Sequence, residues 1–65
     1  MELLSKTHYL IHDNDSYEIV TNGDGSIREI WRYRGNQTSK PEFCRFEWLD
    51  EILQDRIFDK IVRDQ

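Results

Sequence analysis

Any catalysis by this chain would have to draw on Cys44, His8, His12 and the carboxylates around them. A nucleophilic thiol or hydroxyl needs a histidine beside it, and that histidine needs an acid to orient it. Cys44 falls in the apolar segment Phe43-Cys44-Arg45-Phe46, where an inert packed thiol is the expectation. His8 and His12 have a spacing that makes a ligand pair on a helix. On a strand the same spacing holds the two rings roughly 13 Å apart. No metal site is therefore expected, and the histidines read as polar strand residues near a turn.

Two further motifs fail on their spacing. Asn22-Gly23-Asp24-Gly25-Ser26-Ile27 has the middle of an EF-hand loop, but the first ligand would be Val20 and the closing acid would be Trp31. Neither can ligate calcium, so the segment reads as a turn. The three glycines lie scattered over turns, in neither of the patterns that cradle phosphates. The chain is expected not to be an enzyme, with no catalytic, cofactor-binding or metal-binding residue.

Sixty-five residues amount to one small domain (1–65), near the lower limit for an unstapled core. With one cysteine, no internal disulfide is possible. Met1-Glu2-Leu3-Leu4 lacks the layout of a signal peptide, and no apolar run has membrane-spanning length. A cytoplasmic protein with a reduced thiol is expected. Nine basic residues stand against thirteen acidic ones, for a net charge of −4.

The elements that position these residues are easier to read. Asn22-Gly23 lies between the apolar runs Tyr17–Thr21 and Ile27–Tyr33, a strong hairpin signal. On the second strand Ile27, Glu29, Trp31 and Tyr33 alternate with Arg28, Ile30, Arg32 and Arg34. The first set has the larger aromatics and is assigned to the core. Its partner strand offers Tyr17, Ile19 and Thr21, or Glu18 and Val20, depending on register. Lys6–His12 predicts a third strand, with a short helix from residue 2 as the competitor, and Asp13–Ser16 predicts a turn.

Beyond Gly35, the residues Phe43, Phe46, Leu49, Leu53, Ile57 and Ile61 recur at helical spacing. Ser39 and Glu42 match a capping box. A helix is predicted over about 48–63, either reaching back to 40 or preceded by a fourth strand at 42–46. The expected fold is α+β: a three-stranded antiparallel β-meander packed against one C-terminal α-helix.

Two surfaces stand out as possible sites. Trp48, Ile52, Phe58 and Val62 fall outside the main helical stripe, and burying one such side chain is worth roughly 1.5–3 kcal/mol. With Asp55 and Asp59 they form a candidate protein interface, for a partner or a second copy. Arg28, Arg32 and Arg34 share one side of a strand, which suggests an alternative RNA or single-stranded nucleic-acid face. The net acidity weighs against it. The sequence thus points to a small non-enzymatic protein-binding module: a regulator, adaptor or inhibitor of the phage or accessory-gene type. It carries no cofactor in this reading, probes no membrane, and self-associates through its helix.

Overall fold

The computed structural model describes residues 4–35 and 40–64. Four antiparallel strands lie in chain order: β1 Lys6–His12, β2 Asp15–Thr21, β3 Ile27–Tyr33 and β4 Glu42–Cys44. A 3-10 turn at Phe46–Trp48 leads into helix α1, Glu51–Arg63. The three long strands and the C-terminal helix are those expected. The short fourth strand settles the region before the helix as extended chain.

Turn chemistry fixes the registers. Asp13 and Asn14 both take positive φ (50° and 68°), which residues of this type tolerate, so a two-residue turn pairs His12 with Asp15. The second turn is closed by Gly25 N–H to the Asn22 carbonyl (3.0 Å), with Gly25 at φ 91°. There the Asp24 carboxylate accepts from the Ser26 amide and hydroxyl, at 2.9 and 2.7 Å. Those two bonds hold the Asp24 carboxyl below its ordinary pKa. The carboxylate serves the turn itself.

One face of the sheet receives the helix. Tyr17 and Ile19 of β2, Ile30 of β3 and Cys44 of β4 are buried against Leu53, Ile57 and Ile61 of α1. The assignment of Ile27, Glu29, Trp31 and Tyr33 to the core is corrected here for all but Ile27. Ile30 is the buried residue of β3, while Trp31 and Tyr33 lie on the opposite face, only partly covered. Ile27 joins the core side because the ladder slips between Val20 and Thr21. Thr21 pairs with Ile27 and Val20 with Glu29, leaving Arg28 as an extra, unpaired residue. One inserted residue inverts the alternation beyond it.

The helix starts later than its periodicity suggests. Asp50 is its N-cap, accepting from the Leu53 amide at 2.8 Å. Glu51 in the first turn and Lys60 and Arg63 in the last complement the helix dipole. Of the expected capping box, Glu42 lies in β4 and Ser39 is outside the described residues. So is the start of the competing helix from residue 2; from Lys6 onward that segment is strand. Trp48 precedes α1, in the 3-10 turn, which Gln54 fastens to the helix by donating to the carbonyls of Phe46 and Leu49. No helix among the described residues is long and apolar enough to cross a membrane.

Candidate functional site

The face turned away from α1 is built from alternate residues of all four strands. One row across it reads Tyr9, Glu18, Trp31, Phe43; the rows beside it read Thr7, Val20, Glu29 and Ile11, Ser16, Tyr33. Tyr9 is 67% exposed, Ile11 69% and Phe43 52%, while Val20, Trp31 and Tyr33 are half-buried. Trp31 and Phe43 meet edge to face, with centroids 5.4 Å apart. The Trp31 indole N–H donates to Glu29 at 2.7 Å, which fixes the ring. Aromatic rings thus share this face with two carboxylates, a surface of mixed apolar and acidic character.

Its carboxylates are not equivalent. Glu29 receives the indole N–H and lies 3.8 Å from the Arg28 Nε. Glu18, between Tyr9 and Trp31 in the central row, has no lysine, arginine or histidine nitrogen within 4 Å among the described residues. A depression beside it is bordered by Tyr9, Ile11, Ser16 and Tyr33, and runs on to Arg56 and Lys60 of α1.

Trp48, Ile52, Asp55, Phe58, Asp59 and Val62, the expected protein interface, are all exposed. They form no single patch. At 100° per residue, Asp55 and Asp59 fall between Ile52 and the Phe58–Val62 pair. Phe58 leans on Phe46 with centroids 5.0 Å apart, Asp59 pairs with Arg63 at 3.0 Å, and Trp48 stacks under Arg45. The solvent side of α1 is a mosaic of single apolar residues and acids.

The three arginines are engaged by acids. Arg32 and Arg34 both donate to Glu42 Oε1, at 3.2 and 2.7 Å, and Arg28 lies beside Glu29. Arg34, then Arg32, hold the Glu42 carboxyl below its usual pKa. The Tyr17 phenol beside Arg32 raises the guanidinium further above its ordinary value, with Glu42 adding to it. The Arg32 and Arg34 pairs with Glu42 lie on the helix side of the sheet, across it from the exposed rings, whereas Glu29 belongs to the open face.

A fourth arrangement had no local signal. His8 is 2% exposed and Thr21 1%. The His8 Nδ1 lies 2.7 Å from Asp64 Oδ2 and its Nε2 lies 3.1 Å from the Thr21 hydroxyl, which donates to the Lys6 carbonyl at 3.3 Å. Lys6 Nζ reaches the Asp64 carbonyl. Hydroxyl, imidazole and carboxylate in that order form a relay used in acyl transfer. Here the hydroxyl is buried and its hydrogen is engaged by backbone, so the row fastens the end of α1 to β1 and β2. The His8 bond, opposed by partial burial and helped by Lys60, holds Asp64 below the ordinary carboxylate pKa. His12 sits instead among Asp13, Asp50 and Arg56, at 3.4, 3.8 and 3.0 Å. Burial pushes the Cys44 thiol upward in pKa, away from the reactive thiolate.

The chain matches no protein-family model, no curated protein and no solved structure.

Proposed function

We propose that this protein is a non-enzymatic protein-binding module, acting as a regulator, adaptor or inhibitor, and that it meets its partner through the sheet face opposite α1. One observation carries this reading. A two-layer fold leaves half of its sheet uncovered, and here that half holds Tyr9, Ile11, Trp31, Tyr33 and Phe43 among its polar residues Thr7, Ser16, Glu18 and Glu29, more large apolar side chains than a solvated face favours. Contiguous exposed apolar surface of this kind marks interaction sites, and aromatic residues are the usual anchors. A photo-crosslinking residue placed at Tyr9, in cells that produce the protein, tests it. A discrete protein adduct that disappears with Phe43→Asp supports the reading. Adducts equally strong from Glu51, on the helix, contradict it.

A second reading rests on the helix. Trp48, Ile52, Phe58 and Val62 are exposed in the single chain, and a second copy would cover them together with Asp55 and Asp59 between them. Sedimentation velocity decides it: a dimer that Trp48→Asp or Phe58→Asp dissolves supports self-association, and a monomer unaffected by either opposes it. Nucleic-acid binding through Arg28, Arg32 and Arg34 has less support, because all three are paired with acids.

A further inference from the structure

Resting on the protein-binding reading of the open sheet face, we infer that this face takes an arginine side chain, presented by an extended apolar segment of the partner protein. Charge complementarity selects that occupant. Glu18 is half-buried in the central row, flanked across the strands by Tyr9 and Trp31, and lacks a cation of its own among the described residues. A carboxylate beside aromatic rings is a cation site twice over. The carboxylate accepts charge-assisted hydrogen bonds, and the ring faces attract the same positive charge. A planar guanidinium satisfies both at once, stacking on a ring while its N–H groups reach the carboxylate.

The surroundings discriminate against other ligands. Glu29, one row away, adds a second negative charge, and the chain as a whole is at −4. Phosphates would be repelled from the face, whereas basic segments are drawn toward it. Ile11, Val20 and Phe43 supply apolar contacts for side chains neighbouring the arginine. Arg56 and Lys60 of α1 line the same depression, and neither lies within 4 Å of Glu18 as an ion pair.

The probe is a synthetic acetylated five-residue peptide with arginines at its second and fourth positions and valines elsewhere. It is titrated into the isotope-labelled full chain and followed by amide and indole N–H shifts. Versions with lysine or glutamine in place of arginine accompany it. The Trp31 indole and Glu18 amide are expected to move while the Trp48 indole, in the turn before α1, does not. The glutamine peptide should bind about tenfold more weakly or worse, the usual scale for losing a hydrogen-bonded charge. The lysine peptide should lie between. Glu18→Gln should erase the preference for arginine, and Asp55→Asn, an acid on the helix surface, should leave it intact.

A Glu18→Gln protein that still prefers arginine by the same factor overturns the inference. So does a glutamine peptide that binds as well as the arginine one. If in that case Tyr9→Ala and Phe43→Ala weaken both peptides, the cation site has failed while the binding face stands. Shifts confined to α1 overturn the cation site and the sheet-face reading together.

Discussion

The two faces of this sheet are built from the same alternating strands, yet their charges are treated differently. On the helix side the polar groups beside the core are paired. Arg32 and Arg34 share Glu42, and His8 joins Asp64 to Thr21. On the open side aromatic rings are more numerous, and Glu18 stands among them without a cation among the described residues. Burying an unpaired charge is costly, so a covered face tolerates only satisfied groups. A face that carries a carboxylate with no cation among the described residues, beside exposed rings, fits the proposed interface. The contrast lies in pairing, and not in hydrophobicity.

Several substitutions would break or sharpen that contrast. The largest effect is expected on the covered side: Ile57→Ala opens a cavity between α1 and the sheet and should cost about 2–5 kcal/mol in urea unfolding. For a 65-residue domain that loss is a large share of total stability. A comparable loss from Phe43→Ala, expected instead to cost about 1 kcal/mol or less for an edge-to-face pair at a half-exposed site, would show the open face to be core.

Next comes Asp64→Asn, which removes the carboxylate that ties the helix end to His8. The folded-state pKa of Asp64 is lowered, so its stabilisation is full above the unfolded carboxylate pKa of about 4 and is lost as pH falls through the lower folded value. The variant should therefore unfold at lower urea at pH 7, and the gap to wild type should close as the pH falls below about 4. A gap that stays constant from pH 7 to pH 2.5 would remove the carboxylate from the latch. Glu42→Gln loosens two exposed ion pairs and should have a smaller effect of the same sign, weakened further in high salt. Smallest of all is Glu18→Gln. With no ionic partner among the described residues to lose, it should leave the urea midpoint unchanged or slightly raised, and a marked fall would mean that the carboxylate is structural.

The sequence carried the elements better than their faces. Asn22-Gly23 between apolar runs located the second hairpin, and Leu53, Ile57 and Ile61 gave the buried stripe of α1. Size misled on β3. Trp31 and Tyr33 outrank Ile30 as core residues, but α1 packs where Ile19, Ile30 and Cys44 line up across three strands, and Arg32 and Arg34 on that side are paired with Glu42. The extra residue at Arg28 further split the apparent alternation, carrying Ile27 to the covered side. Asp50 and the acid after it were a legible helix start, obscured by the capping pattern at Ser39 and Glu42. The His8–Asp64 bond joins residues 56 apart in sequence, so no spacing rule could find it. The open face was hidden for a related reason: it exists only once the side taken by the helix is known.

In the proposal above, the open face is a binding surface and not a piece of the core. Urea unfolding and arginine-peptide affinity measured together on the Tyr9→Ser, Phe43→Ser double variant test this most directly. The prediction is an unfolding free energy within about 1–2 kcal/mol of wild type, the sum of two exposed truncations, alongside a loss of affinity of tenfold or more. A variant that no longer folds, or one that binds the peptide as wild type does, would contradict it.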